Sequence, residues 1–284
     1  MPETMQPLRA VIEEAALRLK AAGIAEPRRE AQRLWADLQG HSRAEVLPLQ
    51  DDPVDQPLRA RYEAAVLRIA AGEPIQYVTG VAGFRRLTLA SDRRALIPRP
   101  ETEGLVELVL ARVSHGRIAD IGTGSGCIAL SLADEGEFDL VVGVDRSPEA
   151  LTLARENRDQ LGLSVEFVEG DLCEPLRGEL WDALVSNPPY LTSGEYQGLD
   201  RSVRDWEPEG ALSDGADGLA TTRRLVLQAR DVVRAGGLLG LEVDSSRAAA
   251  VAGLASEAGW VDVSVYEDLF GRARYVLARR SETA

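Results

Sequence analysis

From residue 117 onward the chain alternates short apolar, β-branched runs with longer stretches of helical periodicity, and this alternation narrows the possible folds more than any other feature. Strands are predicted at 117–121, 140–145, 164–168, 181–186, 236–243, 260–265 and 274–279, with helices near 126–135, 148–161, 218–234 and 246–258. A strand followed by a helix and then another strand is the rhythm of a parallel sheet. Only 274–279 follows its predecessor without a helix, so the sheet should finish on an antiparallel hairpin. The expected fold class is therefore α/β, with a mostly parallel, seven-stranded, Rossmann-like sheet.

Open sheets of this kind bind ligands beyond the carboxyl ends of their strands, and four successive strand ends here carry distinctive residues. The first is followed by Gly122, Thr123, Gly124, Ser125 and Gly126, whose alternating glycines let backbone approach a ligand at a helix amino terminus. A dinucleotide-binding loop would place its third glycine one position later, where this chain has Cys127, so the spacing disfavours NAD. Asp145 closes the second strand and would accept from a ribose diol, with Ser147 and Pro148 opening the next helix. Asp171 ends the third strand, where it would accept from an adenine amine or equally cap the following turn. Together these residues describe a nucleoside bound along one sheet edge.

The fourth strand stops abruptly at Asn187-Pro188-Pro189-Tyr190. Proline has no N–H and restrains its predecessor, so this segment is held rigidly. The Asn187 side-chain oxygen and a proline carbonyl make two acceptors, and Tyr190 adds a flat face; the set fits a planar NH₂ group. The same four residues also suit a Pro-Pro turn with a packed tyrosine.

Composition limits the partners. Acidic residues exceed basic ones by 46 to 32, for a net charge of −14, the wrong overall sign for a chain whose main partner is a polyphosphate. With two histidines, His41 and His115, neither in a motif, histidine catalysis and a multi-histidine metal site are disfavoured, and no metal is expected. Cys127 and Cys173 make no disulfide framework. No apolar run reaches the ~18 residues of a membrane span and no secretory pattern opens the chain, so a cytoplasmic protein is expected.

Upstream of residue 80, apolar residues recur at helical spacing over 8–22, 27–39, 42–48 and 56–71, predicting a small helical module that acts either as a spacer or as a surface for a macromolecular substrate. Strands over 84–89 and 94–97, around a turn at Ser91-Asp92, are expected to form a linking hairpin. A helix from about 101 to 113 follows, with Thr102 and two glutamates near its start.

The stretches GEPIQYVTG (72–80), LIPRPETE (96–103), DIGTGSGCIALSLA (120–133), VSNPPYL (185–191) and DLFGRARYVLAR (268–279) resemble the HemK/PrmC family of class I S-adenosylmethionine methyltransferases. The resemblance covers nearly the whole chain. It implies methylation of the glutamine N5 in the Gly-Gly-Gln motif of class I peptide chain release factors, with S-adenosylmethionine as cofactor. It also implies a helical substrate-binding domain over 1–80, a hairpin linker over 81–100 and a methyltransferase domain over 101–284, acting as a monomer without direct nucleic-acid or membrane contact. Asn187 and Pro188 would accept the two N–H groups of the amide while Tyr190 packs on its plane. Gly122 to Gly126, Asp145 and Asp171 would hold the cofactor. Phe84, Arg99, Glu101 and Glu103 would frame the near wall of its pocket, although each also suits a structural role. The chain departs from the family at Leu172, where an aromatic residue is frequent, leaving packing against adenine without stacking. Glu242 keeps the family's glutamate, but its loop lacks the usual neighbours and receives no role. Two rivals remain at this point: an N6-adenine or other nucleic-acid methyltransferase, whose flipped base the same motif would hold, and a cofactor-binding adaptor without activity.

Overall fold

The computed structural model describes residues 5–215 and 217–282, which separate into two compact units. One comprises the described residues up to Val81 together with Asp200–Trp206; the other comprises Ala82–Leu199 and Glu207 onward.

The first unit is helical. Helices α1 (Leu8–Ala21), α2 (Pro27–Gln39), α3 (Arg43–Val46) and α4 (Gln56–Ala70) arise where the apolar periodicity places them, and a short fifth, α5 (Ile75–Thr79), follows. Leu8, Val11, Ile12, Ala15 and Leu19 form one buried stripe of α1. Proline opens α2 and Gly40, at φ 68°, closes it in the left-handed conformation that glycine adopts without strain. Asp55 caps α4 by accepting the Leu58 N–H at 2.8 Å. Trp35 meets Tyr62 edge-on with centroids 5.1 Å apart, and the buried Tyr62 hydroxyl donates to the Ala31 carbonyl at 2.8 Å, so the largest polar group of this core is satisfied.

The second unit begins within a hairpin, β1 (Val81–Phe84) and β2 (Leu87–Ala90), and continues through α6 (Pro100–Leu110), β3 (His115–Ile121), α7 (Cys127–Glu135), β4 (Glu137–Asp145), α8 (Pro148–Leu161), β5 (Glu166–Glu169) and β6 (Trp181–Ser186). Short helices α9 (Ser193–Gln197), α10 (Arg201–Arg204, within the first unit) and α11 (Glu209–Leu212) lead to α12 (Ala220–Val232), β7 (Val233–Glu242), α13 (Ala248–Glu257), β8 (Trp260–Glu267) and β9 (Ala273–Arg280).

The sheet order is β5-β4-β3-β6-β7-β9-β8, parallel except for β9, which runs against both neighbours. Helices cover both faces, and consecutive residues of one strand enter opposite cores: Ile118 packs with Leu105, Val106 and Leu130, Ala119 with Leu225, Val226 and Leu239. Ala183, Leu184 and Val185 are consequently all 0 % exposed, which is why β6 is apolar throughout instead of alternating. Among the described residues no helix is long and apolar enough to cross a membrane.

The hairpin departs from expectation. The turn falls at Arg85-Arg86, not at Ser91-Asp92, and 94–97 is irregular. Distant carboxylates decide this: Arg85, at φ 50°, donates its N–H to Glu103 Oε1 at 3.0 Å and its guanidinium to Glu135 and to the Glu103 carbonyl. Those bonds hold a non-glycine residue in a conformation worth avoiding otherwise. Between β6 and the helix expected from 218, where the sequence predicts no element, the chain forms the short helices α9, α10 and α11.

Candidate active site

Register brings the strand ends to one edge. Ile121 pairs with Val144 and with Ser186, Asp145 with Glu169, and Ser186 with Leu241, so the residues following β3, β4, β5, β6 and β7 emerge side by side. The Ser186 hydroxyl donates to the Ile121 carbonyl at 2.6 Å and ties the ends of β6 and β3 together. A cavity of about 350 Å³ lies along this edge, lined by Gly122 to Ser125, Asp145, Asp171, Leu172, Asn187, Pro188 and Pro189.

The glycine loop is fastened from below and open above. Gly122 and Thr123 donate to the Val144 carbonyl at 2.8 and 3.0 Å, and Gly124 donates to Asp145 Oδ2 at 2.8 Å. Asp145 Oδ1 accepts the Ser147 N–H at 2.9 Å, leaving lone pairs on both oxygens for a diol. Gly122 sits at φ 72°, and a Cβ there would meet nothing within 4 Å, so the space beside it is free for a ligand. At Gly126 the opposite holds: a Cβ would press on Phe167 at 3.0 Å and Leu130 at 3.1 Å, so this glycine serves close packing of α7 on β5.

Beneath the loop, Asp120 is 0 % exposed. Its Oδ2 accepts from the Thr123 hydroxyl at 2.6 Å and the Ala129 N–H at 3.2 Å, and its Oδ1 has no partner. Burial pushes this carboxyl up to about 7 against those two bonds, and the charge of Asp145 adds to the rise.

At the reacting end, Asn187 donates from Nδ2 to the Thr102 hydroxyl at 3.2 Å. Tyr190 is half-buried next to these residues but does not line the cavity. Burial, helped by the charge of Glu242, pushes its phenol up to about 12, so the ring stays neutral and offers a face and a hydroxyl, not a base.

Other expected residues fall elsewhere. Phe84 is buried in the core against the helices and is absent from the cavity lining. Glu103 holds the hairpin turn, and the Glu101 carbonyl accepts the Tyr275 hydroxyl at 2.6 Å; neither glutamate lines the cavity. Arg99 does line it, pairing with Glu207 at 2.5 Å. Asp171 is at the wall, but Arg224 engages its carboxylate there. Leu172 also lines the cavity, at φ 53°, with part of its side chain against the core.

Two residues escape a reading of the sequence. Glu207 is 5 % exposed and accepts the Ile97 N–H at 3.1 Å as well as Arg99, fixing two lining residues; its local sequence carries no signal of this. Glu242 is 2 % exposed with Oε2 unpartnered, and burial raises its carboxyl to about 7. A signal existed for Glu242, since it ends an otherwise apolar run just as Asp120 nearly ends β3.

Residues 10–80 match the model of the PrmC N-terminal domain, and residues 101–201 match that of the methyltransferase small domain. The release factor glutamine methyltransferase of Deinococcus radiodurans is 40 % identical over 277 residues, covering 96 % of this chain and 99 % of that protein. The protein of the same name from Moorella thermoacetica is 42 % identical over 281 residues, covering 97 % and 99 %. Among solved structures, a methyltransferase from Pyrococcus furiosus superimposes with a TM-score of 0.51 at 17 % identity over 78 % of this chain and 99 % of that one, a likeness of fold.

Proposed function

The chain belongs to the release factor glutamine methyltransferase family, and from that premise we propose that it methylates the side-chain amide nitrogen of the glutamine in the Gly-Gly-Gln motif of a class I release factor, using S-adenosylmethionine. The observation that carries the reading is the pairing of an open glycine loop and Asp145 at one end of a single cavity with Asn187-Pro188-Pro189 at the other.

The residues of the cavity fit the cofactor. Gly122 leaves room where a side chain would intrude, and Asp145 retains acceptors for the ribose hydroxyls. Asp171 and Leu172 line the wall where an adenine would rest, with the Asp171 carboxylate shared with Arg224. When bound, S-adenosylmethionine supplies an electrophilic methyl group on a sulfonium.

A glutamine amide nitrogen is a weak nucleophile because its lone pair is delocalised into the carbonyl. Asn187 Oδ1 and the Pro188 carbonyl would accept its two N–H groups, and these oriented dipoles favour the positive charge that grows on nitrogen as it attacks. Tyr190, beside these residues but outside the cavity lining, would turn its ring to the amide plane once the glutamine is bound, and its neutral phenol removes no proton. Catalysis then rests on placement and preorganised dipoles, with proton loss following transfer. The net charge of −14 gives no support to a polyphosphate substrate.

The test is transfer of a labelled methyl group from S-adenosylmethionine to a purified class I release factor, beside its Gln→Ala variant in Gly-Gly-Gln and beside unmethylated DNA. Label on the unaltered factor alone is the expected result. Label on DNA alone would leave the fold standing and overturn the substrate.

A further inference from the structure

Building on the glutamine-methylation reading, we propose that Thr102 and Glu242 form a positioning relay that fixes which end of the Asn187 side-chain amide faces the cavity. Asn187 is an acceptor for the substrate only when Oδ1 points at it, and the two ends of the amide are nearly the same size, so packing cannot choose between them.

The hydrogen bonds do choose. Asn187 Nδ2 meets Thr102 Oγ1 at 3.2 Å; Glu242 follows Leu241, the register partner of Ser186, and pairs with Tyr275, whose hydroxyl donates to the Glu101 carbonyl, so the Glu242 carboxyl faces the Thr102 hydroxyl. Thr102 and Glu242 are 3 % and 2 % exposed, so water offers neither of them a substitute partner. A hydroxyl has one proton to give, and an ionised carboxylate can only accept. That proton therefore goes to Glu242, and the Thr102 oxygen is left to face Asn187 as an acceptor. The amide must turn its NH₂ toward Thr102, which leaves Oδ1 for the cavity that Asn187 and Thr102 both line. In the reversed orientation, the Asn187 NH₂ would confront the NH₂ of the substrate glutamine, donor against donor.

The relay depends on Glu242 being ionised. It is faced by Arg99 and Glu101 at the start of α6, Cys127 at the start of α7, Tyr190 after β6, and Arg274 and Tyr275 of β9. Burial outweighs the Thr102 hydroxyl and the two arginines and raises its carboxyl to about 7. Once protonated, Glu242 has a proton of its own to give, the Thr102 hydroxyl is free to donate toward Asn187, and the orientation is no longer dictated.

The experiment compares kcat for release-factor methylation from about pH 5.5 to about pH 9 in the wild type, Thr102→Val, Thr102→Ser and Glu242→Gln, with cofactor affinity by calorimetry and circular dichroism as a check on folding. Thr102→Val and Glu242→Gln should each lower kcat roughly tenfold or more while cofactor affinity stays within about threefold, and Thr102→Ser, which keeps the hydroxyl, should recover to within about threefold of wild type. Wild-type kcat should fall below about pH 7, and that acid limb should be missing from Glu242→Gln. Wild-type turnover in Thr102→Val, or the same acid limb in Glu242→Gln, would overturn the relay. If Thr102→Val does not fold, Thr102→Ser and the pH profile of Glu242→Gln decide. A wild-type protein that labels no release factor would remove the substrate reading and the relay with it.

Discussion

Replacing Asp120 with Asn should flatten the pH dependence of stability in the unit that holds the sheet. Desolvation raises this carboxyl from 3.8 to about 7, opposed by its bonds from Thr123 and Ala129 and assisted by Asp145. The folded chain thus holds the Asp120 proton more tightly than the unfolded chain does. Its contribution to stability is complete below the unfolded value of 3.8 and is lost as the pH rises through about 7. At about 1.4 kcal/mol per pKa unit, roughly 2–3 kcal/mol disappears between pH 5 and pH 8. Asparagine does not titrate, but it sets an NH₂ where Oδ1 has no partner, which costs about 1–3 kcal/mol at every pH. The informative quantity is therefore the loss between the two pH values in the parent minus that in the variant: the constant cost cancels within each loss, and the parallel contribution of Glu242 cancels between them. Urea unfolding at about pH 5 and about pH 8 would be followed through Trp181 and Trp260, both buried in this unit, with Trp35 and Trp206 of the other unit changed to Phe. The loss between the two conditions should be roughly 2–3 kcal/mol smaller in Asp120→Asn than in the parent. Equal losses would show that Asp120 is not desolvated in the way its burial demands.

Asn187→Ala should lower kcat roughly a hundredfold, about 3 kcal/mol, while cofactor affinity changes only a few-fold; full activity on a release factor would sink the proposed role of the amide. Asp145→Ala removes the acceptor of the Gly124 and Ser147 N–H groups together with the ribose partner, so calorimetry should find cofactor binding weakened at least about tenfold, and unchanged binding would move the ribose elsewhere. Glu207→Gln weakens the fastening of Ile97 and Arg99 to the cavity wall and should cost about 1–3 kcal/mol by urea unfolding, along with a higher KM for the cofactor; a variant with neither change would show the pair to be idle.

Whether a feature could be read from the sequence follows the distance over which it is determined. The strands were legible because a run such as Ala183-Leu184-Val185, buried on both faces, states its environment locally, and the antiparallel edge was legible because no helix separates β8 from β9. The placement of Asn187, Pro188 and Gly122 along the cavity was legible for a related reason: each follows a strand end, and its position is set by the run immediately before it. The hairpin turn was not, since Arg85 owes its left-handed conformation to carboxylates 18 and 50 residues away. Asp171 illustrates the same limit inside the site, where an acceptor visible in the sequence is shared with an Arg224 that lies 53 residues further on. Glu207 acts on Ile97 across 110 residues, and Thr102 meets Asn187 across 85, with no periodicity or motif linking either pair. Glu242 stood in the sequence as a carboxylate closing an apolar run, but it acquires a role only when the parallel register sets it next to the end of β6 and behind Thr102. A buried acid with an unpartnered oxygen is costly to keep in a strand that could have ended on leucine. Its presence there is accounted for by the Thr102 hydroxyl that it faces, and hence by the orientation of Asn187, more directly than by stability.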